Sequence, residues 1–154
     1  GRLVMADVLE VAREGVGKKT PRYIIDVATL TGAAKVALGR SIAALFSNSR
    51  QLGDQLFKSG ERSGDLCWEL PLFQPYHSAL KTPFADTLNS GDSYGGSITA
   101  ALFLETFVGD AEWAHLDIYG WNDGPRGCWL EKGGSGQGVA LLADFIQNLK
   151  EKKS

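Results

Sequence analysis

Apolar positions along this chain recur at two different spacings, and the changes between them mark out its elements. Leu3 and Val4, Val8, then Val11 and Ala12 fall three or four residues apart, which predicts a helix over 2–12 with those residues on its apolar face. Ile24, Ile25, Val27 and Ala28 form a β-branched run that suits a buried strand. The pattern then changes abruptly to Thr29, Leu30, Thr31 and Gly32, followed by small residues over 33–39. That predicts a strand delivering the backbone into a short helix, with Thr31 as its N-cap. A second buried strand follows over 41–47 and a helix over 50–62, with Leu52, Leu56 and Phe57 on one face. Residues 66–73 are extended, and Pro71 bars them from a central place in a sheet. A short helix over 75–80 leads into a long polar loop over 83–94. Gly95 and Gly96 open a helix over 97–108 that is apolar nearly all round and so predicted to be buried. The last elements are a strand over 113–119, an irregular Gly-rich stretch over 121–136 and an amphipathic helix over 137–150. The alternation of helix and strand predicts an α/β layered fold with a mostly parallel sheet flanked by helices. No repeat and no internal domain boundary is visible.

Composition narrows the function classes. At 154 residues the chain has the length of one domain with a sizeable core. Sixteen basic residues against eighteen acidic ones leave a formal charge of −2. That argues against a nucleic-acid surface, which needs concentrated Lys and Arg. The one tight basic cluster, at Lys150, Lys152 and Lys153, reads as a solvated helix end. No apolar run is long enough to cross a bilayer, so no membrane partner is expected, and no signal peptide is visible. Cys67 and Cys128 are too few and too far apart for a metal motif or a disulfide framework, and a reducing cytoplasm is the default compartment. Gly1 is not an initiator Met, and the first helix starts without a Ser, Thr or Asp cap, so a piece of a longer chain is expected.

The bend over 29–32 is the first chemical candidate. In open α/β sheets, ligands bind in the crevice beyond the carboxyl ends of strands. Thr29 and Thr31 offer hydroxyls there, and Gly32 admits close approach to the backbone. The free N–H groups of the following helix would favour an anion or a polarised carbonyl. His115 and Asp117, two apart on a strand, share a face. A metal site or a catalytic pair is open to them, though a satisfied core pair at a strand end is the commoner role. Asp26, in mid-strand, needs a structural partner. The loop over 133–138 precedes a helix as a phosphate loop would. It lacks the Lys-Ser/Thr of a P-loop, and no strand leads into it. It also fails the Gly-x-Ser-x-Gly elbow by one position.

Several stretches together resemble the leucyl aminopeptidase family of metal-dependent exopeptidases. Gly1-Arg2-Leu3 and the apolar helix after it are similar to the end of that family's Asn-Thr-Asp-Ala-Glu-Gly-Arg-Leu signature. Asp26-Val27-Ala28-Thr29-Leu30-Thr31-Gly32-Ala33 is similar to its Asp-Leu-Ala-Thr-Leu-Thr-Gly-Ala segment, continued by Ala37-Leu38-Gly39. Gly96-Ser97-Ile98-Thr99-Ala100-Ala101 and Trp113-Ala114-His115-Leu116-Asp117-Ile118 match two further blocks. The resemblance implies the C-terminal portion of one catalytic domain of the zinc-exopeptidase kind. It implies hydrolysis of the first residue from a peptide by a water held between two divalent ions, of zinc, manganese or magnesium. It also implies a bicarbonate on Arg2, assisted by backbone at Gly1 and Leu30, that relays the proton of that water. Thr29, Leu30, Thr31 and Gly32 would line the substrate pocket, with Tyr119 and Asn122 from beyond the last strand. His115 and Asp117 are not ligands in that family. The parent protein would be a cytoplasmic homo-hexamer.

Two departures shape what is expected. The signature's metal-binding Asp and Glu would lie just before Gly1, and the remaining ligands and the catalytic lysine further upstream. Lys35 does not match the place of that lysine. The chain as given is therefore expected to bind no catalytic metal pair and to cleave no peptide alone. Tyr119-Gly120-Trp121-Asn122 stands where the family has Ala-Gly and small apolar residues, which puts leucine preference in doubt. Two rivals stand beside this reading. One is a non-enzymatic α/β module that binds small ligands or partners. The other is a nucleotide-binding domain using the loop over 133–138.

Overall fold

A computed structural model describes residues 1–15, 19–91, 94–125, 127 and 130–151. Cys128, Lys152, Lys153 and parts of the turns over 15–20 and 83–94 lie outside the described residues. The elements follow the order α1 (Arg2–Glu14), β1 (Tyr23–Ala28), α2 (Gly32–Leu38), β2 (Ala43–Ser47), α3 (Arg50–Ser63) and β3 (Cys67–Glu69). A 3₁₀ helix (Gln74–Leu80), α4 (Gly96–Glu105), β4 (Glu112–Asp117), the short pair β5 (Trp121–Asn122) and β6 (Gly133–Gly134), and α5 (Val139–Glu151) complete the chain.

The main sheet has the order β1-β4-β2-β3. β1 and β4 pair in parallel, as do β2 and β3, and one antiparallel seam joins β4 to β2. The sheet is thus mostly parallel, as the helix–strand alternation predicts. β3 takes the edge, and Pro71 falls beyond its end, where a missing N–H costs no ladder bond.

Side chains alternate across this sheet and feed two cores. On one face Ile24, Ala44, Phe46 and Trp113 pack with Ala6 and Leu9 of α1, Ala34 of α2 and Ala101 to Leu104 of α4. On the other, Leu45, Ala114 and Leu116 pack with Leu52 and Leu56 of α3 and Leu141 and Phe145 of α5. Both helix layers are needed because strands paired in parallel bury both faces. α4 is buried as its composition predicts, with Leu102, Phe103 and Leu104 almost fully covered. On α3, Leu52 and Leu56 point inward, and Phe57 meets Trp68 edge-on at 5.6 Å. Arg62 Nη2 donates to Asp144 Oδ2 at 2.5 Å, fastening the end of α3 to α5.

Three expectations need correction. The inward face of α1 is carried by Ala6 and Leu9, while Leu3, Val4, Val8 and Val11 are each more than half exposed. The apolar stripe that predicts the helix is therefore not the face it buries here; the buried face runs through Met5, Ala6, Leu9 and Ala12. The stretch over 121–136 is not wholly irregular: Trp121 pairs with Gly134 and Asn122 with Gly133. The apolar helix ends at Glu105, three residues earlier than its pattern, in turns that lead to Gly109 with φ 58°.

Within the first core lies a polar knot. Asp26 Oδ2 accepts from Trp113 Nε1 at 2.7 Å, and Asp26 Oδ1 hydrogen-bonds His115 Nδ1 at 2.5 Å. His115 is fully buried and stacks at 6.1 Å on Phe46 and 6.3 Å on Trp113. The mid-strand carboxylate thus has the structural partner its burial demands. Asp26→Ala would leave the Trp113 and His115 nitrogens unsatisfied in the core, and a loss of about 3 kcal/mol in unfolding free energy is expected from urea titration. A loss below about 1 kcal/mol would show that the knot contributes little.

Candidate functional site

The bend over 29–32 begins where β1 ends and α2 starts. Thr31 adopts an extended backbone, and its Oγ1 accepts from Ala34 N at 3.1 Å, which caps α2. The same hydroxyl donates to Asp117 Oδ2 at 2.6 Å. Asp117 Oδ1 accepts from Leu30 N at 2.9 Å and from Thr31 N at 3.2 Å. Asp117 is 2% exposed and stands at the end of β4, in register with Ala28. One buried carboxylate therefore takes three hydrogen bonds from the bend and fixes its path. Thr31's hydroxyl is engaged on both sides, so the one free to meet a ligand is that of exposed Thr29.

Across the bend runs the segment over 118–121, and the two walls enclose an open crevice of about 590 Å³. Thr29, Leu30, Thr31 and Gly32 line one side, with Ile118, Tyr119, Gly120 and Trp121 opposite and Lys35 between them. Nothing lies within 4 Å of where a Gly32 Cβ would stand. Gly120 has φ 66°, and a Cβ there would come within 3.1 Å of Ile118 Cδ1 and 3.6 Å of Thr29 Cγ2, so glycine lets the far wall approach the bend. Gln137 Oε1 accepts from Tyr119 N and Gly120 N, both at 3.0 Å, and anchors that wall to the approach of α5.

Arg2 and Gly1 stand beside the same bend. A Cβ built on Gly1 would lie 3.9 Å from Leu30 Cδ1. Arg2 Nη1 donates to the carbonyl of Asn89 at 2.6 Å, tying the long loop to the start of α1. Partial burial lowers the Arg2 pKa below its ordinary value, and the nearby charge of Asp117 works against that shift. An Arg at the N-terminus of a thirteen-residue helix combines a fixed cation with free backbone N–H groups, which suits a small oxyanion.

Of the predicted residues, Thr29, Leu30, Thr31, Gly32 and Tyr119 line the crevice, and two are placed otherwise than expected. Asn122 is 7% exposed, and its Nδ2 donates to the carbonyl of Glu131 at 2.6 Å; it lines a separate cavity, not the crevice. The β5–β6 pairing turns it away. The N–H of Leu30 already donates to Asp117, so an anion beside Arg2 would rely on the Arg2 side chain and the backbone at Gly1. Sequence reasoning missed Asp117 as a clamp, and Lys35, Gly120 and Trp121 as lining. Lys35 lies within one helical turn of the bend, whereas Asp117 comes to it only through the sheet, as the last residue of β4, the parallel neighbour of β1.

The separate cavity is larger, about 860 Å³, and runs between the end of α3, β5 and the turn before α5. Several of its polar groups are paired, while the buried Nε2 of Gln137 has no partner among the described residues. Asp65 Oδ2 accepts from Ala140 N at 3.1 Å and Leu141 N at 3.3 Å, and so fills the N-terminus of α5 with a carboxylate. A phosphate cradled by the loop over 133–138 would meet that negative charge where it needs donors. Arg40 pairs with Asp123. Burial, helped by the charges of Asp65 and Glu69, pushes the Cys67 thiol up to about 12, so it is no nucleophile at neutral pH. Among the described residues no group of three or more His, Cys, Asp or Glu is placed to hold a metal ion.

The sequence model of the cytosol aminopeptidase family's catalytic domain matches residues 1–143. A probable cytosol aminopeptidase of Roseiflexus castenholzii is 45% identical over 150 residues, 96% of this chain and 30% of that one. The crystal structure of the cytosol aminopeptidase from Coxiella burnetii superposes with a TM-score of 0.85 at 41% identity, covering 96% of this chain and 32% of that one. The bottromycin maturation enzyme BotP, solved in complex with Mn, gives 0.89 at 38% identity over 97% of this chain and 33% of that one. The chain belongs to the catalytic domain of the cytosol aminopeptidase family. It spans about 30% of the length of the curated relatives it matches.

Two outcomes test the site. Asp117→Ala removes the acceptor of two backbone N–H groups and one hydroxyl, and a loss of about 2–5 kcal/mol in stability is expected in urea; an unchanged midpoint would refute the clamp. The Cys67 thiol is held neutral in the folded chain, so its contribution is fully present below pH 9 and lost as pH rises toward about 12. Stability is expected to fall over that window, and Cys67→Ala to flatten the fall; parallel curves for the two proteins would contradict it.

Proposed function

We propose that this chain supplies one wall of the substrate cleft of an aminopeptidase that releases N-terminal residues from peptides. The observation that carries the reading is an open crevice between the 29–32 bend and an aromatic wall, with Gly1, at the start of α1, packed beside Leu30 of that bend. The 29–32 bend would hold the backbone of the leading residues. Tyr119 would meet the first side chain, and its bulk in place of a small residue argues for a preference other than leucine. The oxyanion beside Arg2 and Gly1 would be a bicarbonate that takes the proton of the attacking water. Family membership supports divalent-metal dependence. The two ions, manganese, zinc or magnesium, would be held by carboxylates outside the described residues, and the part of this chain is to bind and orient. A homo-hexamer in the cytoplasm is the assembly proposed for the parent protein, on the strength of the resemblance. No described helix is long and apolar enough to cross a membrane.

The test compares the 154-residue chain with the longer protein that carries it, each supplied with manganese or zinc. The longer protein is expected to cleave aminoacyl anilides and free-amine peptides, to spare N-acetylated ones and to lose activity on chelation. The isolated chain is expected to cleave none. In the longer protein Arg2→Met is expected to lower kcat on the order of 10²-fold with little change in KM. Cleavage that ignores the free amine, or metal-dependent cleavage by the isolated chain, would overturn the assignment.

A further inference from the structure

The crevice carries one formal charge among its lining residues, and it is Lys35. Lys35 lies four residues beyond Thr31 and three beyond Gly32, so it shares their side of α2, one turn further along. Its Nζ sits 4.2 Å from the centroid of the Tyr119 ring, which bridges the two walls. An aromatic face fixes an ammonium without neutralising it. Lys35 makes no salt bridge with any described residue. Two carboxylates on the surrounding elements are engaged elsewhere. Asp117 is taken up by the bend beneath, and Asp123 by Arg40 and by the Tyr119 hydroxyl at 3.1 Å. Arg40 itself approaches the same ring at 5.3 Å. The cations around Tyr119 therefore exceed the carboxylates free to pair with them.

An ammonium lining an open cleft, with no described residue taking up its donors, is a poor neighbour for an aliphatic side chain and a good one for an anion. We propose that Lys35 sets the specificity of this crevice for a carboxylate, carried by a peptide whose backbone the 29–32 bend grips. In a long peptide that group is the side chain of Glu or Asp; in a dipeptide it is also the terminal carboxylate. The inference rests on the substrate-cleft reading of the same site and deepens it by naming the substrate class.

The test reads binding and does not need turnover. Tripeptide amides with Glu or Gln in the first or second position, and one dipeptide as free acid and as amide, are titrated into the protein. The backbone amides of Thr31 to Lys35 are followed by NMR. Glu is expected to bind about fivefold tighter than Gln at low salt, with the gap closing as salt rises. Lys35→Met is expected to abolish the difference, Lys35→Arg to keep it, and Lys35→Glu to turn the preference toward Lys-containing peptides. A preference confined to the free-acid dipeptide identifies the terminal carboxylate as the group selected and supports the same role for Lys35. Equal binding of Glu and Gln peptides, or an acid preference that survives in Lys35→Met, overturns it. Acid-selective binding without hydrolysis by the metal-loaded longer protein would sink the aminopeptidase reading and leave this one standing. Hydrolysis with no acid preference would do the reverse.

Discussion

Asp117 takes two backbone N–H groups and a hydroxyl from the stretch that leaves β1. A carboxylate buried to this degree is stable only if its oxygens are met by donors. The bend provides them, and in return loses the freedom to wander. The exchange explains why a solvent-facing turn between a strand and a short helix holds one shape. It also explains how β4 governs the crevice from below while the segment just after it forms the opposite wall. Arg2 feels the same charge, so the start of α1 is drawn into the arrangement.

The sheet makes this geometry available. β1 and β4 are parallel neighbours, so their carboxyl ends open on the same rim, and the register places Ala28 beside Asp117. Two residues back along each strand the pairing sets Asp26 beside His115, and there the same kind of burial gives a purely structural knot. Three positions on one strand face thus do different work according to depth. Trp113 and His115 sit under α4 and serve the core, and Asp117 at the rim serves the bend.

Much of the fold is legible in the sequence because its signals are local. The β-branched run before Thr31 and the small residues after it specify strand, cap and helix within a dozen positions. The apolar composition of α4 announces its burial. Apart from the local end of α4, three residues earlier than its pattern, the failures are long-range or matters of choice between faces. α1 carries two apolar stripes, Leu3, Val4, Val8 and Val11 on one side and Met5, Ala6, Leu9 and Ala12 on the other, and periodicity alone does not say which is buried. β5 and β6 are two residues each, and only a contact across a Gly-rich loop defines them. Asn122 followed that loop away from the crevice. The site is legible as a place, the 29–32 bend, and through resemblance as a set of residues. Its charge is not, since Lys35 reaches Tyr119 only once α2 is folded against the far wall.

Asp117 holds the bend, and native-state hydrogen exchange reads that hold most directly. The amides of Leu30 and Thr31 should be protected although they lie outside any helix or strand ladder. In Asp117→Asn or Asp117→Ala they should lose protection selectively, while β1 amides such as that of Ile25 keep theirs. Fast exchange at Leu30 and Thr31 in the unaltered chain, or protection that survives both substitutions, would contradict it.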